Sequence, residues 1–135
     1  MAAEVWKRPA LPVVPVCVIL PAEQFSGGRY VIAGQTPKSI PPSASGKSAL
    51  QVALEAARVG GRIIRDRFAG EKQVTQKAWA NVVTDVDIQS NEAILKLLRQ
   101  EFPSFGLLSE ESEMEQSQSP YLWVVDPLDG TRNYA

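Results

Sequence analysis

An α+β fold is predicted for this 135-residue chain from three observations. Two stretches carry apolar residues at helical spacing, two later stretches are short apolar runs of strand length, and acidic residues gather where these elements end. Hydrophobic residues make up 44% of the chain, which suits one small domain with a modest core. The formal charge of −1 creates no field that would draw nucleic acid or an acidic membrane surface, so neither is expected as a partner.

The composition breaks near residue 46. Residues 1–46 are rich in proline and are read as an unassigned leader or linker. Within them Val13 to Leu20 reads as extended, Tyr30 to Ala33 forms a second short run, and Pro37, Pro41, Pro42, Ser43 and Ser45 read as the linker itself. Lys7 and Arg8 precede an apolar stretch from Ala10 to Leu20, as in a secretory signal, but Pro12 and Pro15 interrupt it and no small-x-small cleavage site follows. No run is long and apolar enough to cross a bilayer. The lone Cys17 cannot form an internal disulfide, so a cytoplasmic location is expected, with organelle targeting by residues 1–46 left open.

After the break the elements follow in order. Leu50, Leu54, Ala57, Gly61, Ile64 and Phe68 recur at spacings of four and three and predict a helix with this stripe inward. Gly60 and Gly61 cost helix propensity, so their expected value is close approach by another backbone. Gly70 ends the helix, and Lys72 to Gln76 is a short strand or turn. A second helix is predicted from near Thr84, carrying Ile88, Leu95, Leu98 and Phe102 inward and ending before Pro103. Phe105 to Leu108 and Tyr121 to Val125 are predicted strands, with a polar surface loop from Glu113 to Ser119 between them.

The chain has no histidine, which removes imidazole-based zinc sites, phosphohistidine chemistry and Ser-His-Asp triads. Cysteine-dependent phosphatases need an arginine six residues after the nucleophile, and Glu23 stands there after Cys17. Chemistry therefore falls to carboxylates. Trp123 to Asp126 reads as a buried strand running into a rigid turn at Pro127, with Asp129 one tight turn later and Gly130 permitting close approach of a ligand. Asp126, Asp129 and the Leu128 carbonyl between them suit a hard cation, or equally an acidic turn that caps the next element. Glu110 and Glu111 lie past another predicted strand; Glu111 alone also reads as solvated surface. Asp87 is the fourth acidic position, and with Thr84 it also reads as a capping box. Four carboxylates at element ends repel one another unless cations hold them, which points to a two-metal phosphoryl-transfer site.

Three segments carry a closer signal. Asn81 to Asp87, Ser109-Glu110-Glu111-Ser112 and Trp123 to Tyr134 resemble, in order and separation, successive signature segments of the inositol monophosphatase family. The resemblance covers roughly residues 47–135, read as the amino-terminal part of such a catalytic domain. It implies a layered α/β sandwich of the inositol monophosphatase and fructose bisphosphatase type, cut after its first strands, and magnesium-dependent hydrolysis of a small phosphorylated metabolite by a metal-activated water. Manganese is an expected substitute, and a homodimer is expected of the full-length parent. Position by position, Glu110, Asp126 and the Leu128 carbonyl resemble a first metal site, and Asp126 with Asp129 part of a second. Thr131 with Asp87 resembles the pair that activates the attacking water, which Glu110 helps to hold, and the Gly130 and Thr131 amides would cradle the phosphate. Lys77 falls near a family lysine on a mobile loop. Ser109 replaces the usual glycine, Asn81 a common aspartate and Arg132 a frequent threonine; none of these removes a metal ligand.

The family continues through a Trp-Asp segment whose aspartate completes the second metal site, so the 135 residues are expected to be inactive alone. Inositol monophosphate is the family's default substrate, with fructose bisphosphate, histidinol phosphate and 3′-phosphonucleotides as alternatives. Two other phosphate motifs fall short. Gly46-Lys47-Ser48 ends like a phosphate-binding loop but has Pro41 where a glycine is needed. Asp85 and Asp87 have haloacid-dehalogenase spacing but open a helix, and Gln89 lacks the expected hydroxyl. A non-catalytic truncated product is the competing reading.

Overall fold

The computed structural model describes residues 16–21, 25–26, 29–30, 39–71, 73–78, 81–117 and 119–129. In chain order the elements are β1 (Val16–Pro21), β2 (Phe25–Ser26), β3 (Arg29–Tyr30), α1 (Ala49–Arg67), β4 (Val74–Ala78), β5 (Asn81–Thr84), α2 (Asp85–Glu101), β6 (Gly106–Ser109), β7 (Ser112–Glu115) and β8 (Tyr121–Asp126).

Both helices begin at capping boxes. Ser48 accepts from the Gln51 N–H at 3.2 Å while the Gln51 side chain accepts from the Ser48 N–H at 2.8 Å. Thr84 and Asp87 form the same reciprocal pair at the head of α2. Arg65 and Arg67 in the last turn of α1, and Arg99 in that of α2, complement the helix dipoles.

The faces the helices bury differ from the predicted ones. Ile64 is buried on α1 as predicted, but it is joined there by Val52, Ala56 and Gly60, whereas Leu50 is 69% and Leu54 48% exposed. Two apolar stripes run side by side on this helix, and residue size marked the wrong one; small Ala56 and Gly60 let the backbones of α1 and α2 approach. On α2, Leu95, Leu98 and Phe102 are buried as predicted, but Ile88 faces out. The capping box fixes the rotation, because turning Asp87 inward carries the next residue about 100° away.

A four-stranded mixed sheet has the order β1-β8-β6-β7. β8 runs parallel to β6, while β1 pairs antiparallel with β8 from Val16 opposite Asp126 to Pro21 opposite Tyr121. The leader therefore contributes a sheet strand. β7 occupies part of the expected surface loop. Its one apolar side chain, Met114, is exposed and the other three are polar, so hydrophobic periodicity carries no trace of it; its pairing with β6 is a backbone matter. The hairpins β2–β3 and β4–β5 are separate two-stranded ribbons, and Lys77 lies within strand β4.

The helices cover one face of the sheet. Val52 and Ala56 of α1, Ile94, Leu95 and Leu98 of α2, Leu107 of β6 and Trp123 and Val125 of β8 share one core. Phe102, Phe105 and Tyr121 extend it as a row of rings, with centroids 4.6 Å apart for Phe102–Phe105 and 5.0 Å for Phe105–Tyr121. Among the described residues no helix is long and apolar enough to cross a membrane.

Ser43 and Ser45, read as linker, are instead latched to the end of α2. Gly46, at φ 83°, closes a turn whose N–H donates to the Ser43 carbonyl at 2.8 Å. The Ser43 and Ser45 hydroxyls donate to one Glu101 carboxylate oxygen at 2.6 and 2.5 Å, and Lys47 reaches the other at 3.4 Å. These donors, Ser43 first, hold the Glu101 carboxyl at about 2, below its ordinary 4.5. The folded state thus favours charged Glu101. Its contribution is complete above about pH 4.5 and is lost as pH falls toward about 2. Glu101→Gln is expected to melt several degrees lower at neutral pH and to lose less stability across that acid window than the native chain. Calorimetry at a series of pH values checks this; an identical acid slope in the variant would place the acid loss elsewhere.

Candidate metal and phosphate site

Parallel pairing of β6 and β8 brings their carboxyl ends to one edge of the sheet, with Ser109 opposite Val125. Glu110 follows Ser109, and its N–H donates to the Val125 carbonyl at 3.2 Å, beside Asp126. Two acidic segments far apart in sequence thus emerge side by side, at the sheet edge where open α/β sheets commonly take ligands. The first turn of α2 supplies the third.

Each segment is fixed locally. Asp126 Oδ1 accepts from the Leu128 N–H at 3.1 Å, closing a turn around Pro127. The Leu128 side chain anchors that turn in a small second core with Ile64 and Val86. The Ser90 hydroxyl donates to the Pro127 carbonyl at 2.9 Å. Asp87 is buried, and its Oδ2 accepts from the Thr84 N–H at 2.7 Å and from the Thr84 hydroxyl. The capping role considered for Asp87 is real, and the same carboxylate still acts on Asp126.

That influence is visible in the ionisation of Asp126. Burial pushes its carboxyl above the ordinary 3.8, the Leu128 N–H opposes this, and the charges of Asp129, Asp87 and Glu111 raise it further. Three acids therefore press on a fourth. Among the described residues, however, no three histidine, cysteine, aspartate or glutamate side chains stand close enough to hold one metal ion. Gly130 and Thr131 lie outside the described residues. The donor chemistry fits a hard cation, since the candidate ligands are carboxylate and carbonyl oxygens with no nitrogen or sulfur among them, and a cation relieves the repulsion at Asp126.

Sequence reasoning brought Asp87, Glu110, Glu111, Asp126 and Asp129 forward and passed over Ser90 and Asn91. Both are buried polar residues three and four positions after Asp87, on the same face of α2. That spacing was the available signal.

A mixed sheet with helices on one face and acids gathered at its carboxyl edge defines an α+β domain. Residues 47–135 match the inositol monophosphatase family, and the chain belongs to it. It is 40% identical over 90 residues to inositol monophosphatase 3 of Solanum lycopersicum, a match covering 63% of this chain and 33% of that protein. It is 38% identical over 90 residues to the fructose-1,6-bisphosphatase/inositol-1-monophosphatase of Aquifex aeolicus, covering 65% and 34%. The crystal structure of extragenic suppressor protein suhB from Bartonella henselae superimposes with a TM-score of 0.61 at 33% identity, over 63% of this chain and 34% of that one. The chain thus spans about a third of the length of these relatives.

Proposed function

We propose that residues 47–135 form the metal- and phosphate-binding part of a magnesium-dependent phosphomonoesterase. The complete enzyme hydrolyses a small phosphate monoester, inositol monophosphate first among them, by direct attack of water. The observation that carries this reading is the parallel register of β6 and β8, which sets Glu110, its N–H on the Val125 carbonyl, beside Asp126 at one edge of the sheet.

Glu110, Asp126 and the Leu128 carbonyl would hold one Mg²⁺, with Asp126 and Asp129 contributing to a second; Mn²⁺ should substitute. Bound cations supply Lewis acidity toward the phosphate and offset the charge of the acids. Asp87 and Thr131 orient the attacking water and take up its proton, and the Gly130 and Thr131 amides hold the phosphate oxygens. Fructose bisphosphate is the second reading, favoured by the double name of the Aquifex aeolicus relative. A cytoplasmic homodimer is the proposed state of the complete enzyme.

The 135 residues alone are proposed to lack appreciable turnover. They span a third of their relatives' length, and Mg²⁺ demands near-complete coordination. The test measures phosphate release from inositol monophosphate by these residues alone, and by the same residues joined to the remaining two-thirds of the Bartonella henselae relative. Cooperative melting establishes that the joined chain folds. Magnesium-dependent release is expected only from the joined chain. Release without magnesium would overturn the metal reading, and turnover above roughly 1 s⁻¹ from the 135 residues alone would overturn their inactivity.

A further inference from the structure

We infer that Ser90 and Asn91 are positioning residues, a two-pronged clamp by which one face of α2 sets the spacing of the two acidic turns. Asp87, Ser90 and Asn91 share that face and are 1%, 0% and 5% exposed. Ser90 grips the turn after β8 through the Pro127 carbonyl at 2.9 Å. Asn91 grips the end of β6, its side-chain oxygen accepting from the Ser109 hydroxyl at 2.5 Å. Ser109 in turn accepts from the Glu111 N–H at 3.4 Å, extending the hold into the Glu110–Glu111 turn. A helix is a rigid reference, so Asp87, the Asp126–Asp129 turn and the Glu110–Glu111 turn are all located against one body.

Packing alone does not account for the pair. Buried hydroxyl and carboxamide groups must recover their lost hydration through hydrogen bonds, and apolar residues would fill this face without that need. What the polar pair adds is direction, fixing both turns along defined hydrogen bonds. The Ser109 hydroxyl is matched by Asn91, so this prong joins a side chain of the strand end to a side chain of the helix.

The clamp's bearing on a cation rests on the metal reading above, and the experiment separates the two. Ser90→Ala, Ser90→Thr, Asn91→Ala, Ser109→Gly and the double variant Asn91→Leu/Ser109→Gly are compared with the native 135-residue chain. Three quantities are read: melting temperature, amide hydrogen exchange at Glu110 and Leu128, and Mn²⁺ affinity by titration calorimetry. Ser90→Ala is expected to speed exchange at Leu128, and Asn91→Ala or Ser109→Gly at Glu110, each about tenfold. Each should weaken Mn²⁺ about tenfold, the lower end for residues that orient metal ligands. Ser90→Thr keeps the hydroxyl and should restore both readings. The double variant removes both polar partners, so it should regain melting temperature yet keep weak Mn²⁺ binding. Recovery of Mn²⁺ affinity in the double variant would reduce the pair to packing. Unchanged exchange at both amides in variants that melt cooperatively would overturn the clamp, and Ser90→Thr, which keeps the hydroxyl, serves as the conservative comparison. If the native chain binds no Mn²⁺, the metal reading fails, while the exchange data still decide the clamp.

Discussion

Replacing Asp126 by asparagine is expected to stabilise the metal-free chain while weakening Mn²⁺ binding by about a hundredfold or more. The two effects have one cause. Burial and the charges of Asp129, Asp87 and Glu111 all disfavour the Asp126 carboxylate, so its folded-state pKa lies above the ordinary 3.8. A raised carboxyl destabilises the fold once it ionises. The penalty is absent below about pH 3.8 and complete above the folded value. Asparagine keeps an oxygen for the Leu128 N–H and carries no charge, so the turn survives without the penalty. Asp126→Asn should therefore melt higher than the native chain at pH 7 and equally at pH 3. Residues that merely orient ligands cost ten- to a hundredfold in metal affinity, so losing a proposed ligand itself should cost at least about the upper figure. Equal Mn²⁺ affinity in the two proteins would remove Asp126 from the site. A lower melting temperature at pH 7 would show that burial and repulsion do not disfavour the Asp126 carboxylate.

Trp123→Ala is expected to destabilise the fold by about 3–5 kcal/mol, the usual range for a large aromatic residue lost from a core. Trp123 is 1% exposed and lies in β8, between β1 and β6. Its ring meets Phe102 at 5.7 Å with the planes at 59°, tying the end of α2 to the strand that delivers Asp126. Small domains hold roughly 5–15 kcal/mol in all, so a loss of this size unfolds a substantial fraction or leaves little margin. Trp123→Phe should cost less than about 1.5 kcal/mol, because it keeps apolar volume. It also sheds the buried Nε1–H, which has no hydrogen-bond partner among the described residues. Urea denaturation monitored by circular dichroism measures both. A loss below 1 kcal/mol for Trp123→Ala would mean that β8 is not held by this contact.

Much of the fold was legible because local rules and tertiary packing agreed. The start of α2 at Thr84 follows from capping chemistry, α1 from apolar spacing that begins at Leu50, and the strands at Phe105 to Leu108 and Tyr121 to Val125 from short apolar runs. The buried face of α1 was misread because Leu50 and Leu54 outweigh Ala56 and Gly60 in any count of hydrophobicity, while close helix contact favours the small residues. β7 was missed because its Ser-Glu-Met-Glu sequence pairs through backbone atoms alone. In the site, the acids were legible from their places at element ends. Their meeting was expected from repulsion and from the family resemblance, while the means of it, the parallel register of β6 with β8, left no mark in the local pattern. Ser90 and Asn91 escaped notice because a short polar residue in a helix ordinarily marks a solvent face, and only the partners across the interface show otherwise.

The pairing of β1 with β8 bears on how the chain is made. Val16 and its partner Asp126 stand 110 residues apart in the sequence. At ordinary synthesis rates of 5–20 residues per second, the first strand waits roughly 5–20 s for its neighbour. The capped helices and the β6–β7 hairpin close over shorter separations and can form meanwhile. During that interval the apolar segment Val16–Pro21 lacks its β8 partner, and it stays open to off-pathway association until β8 is made.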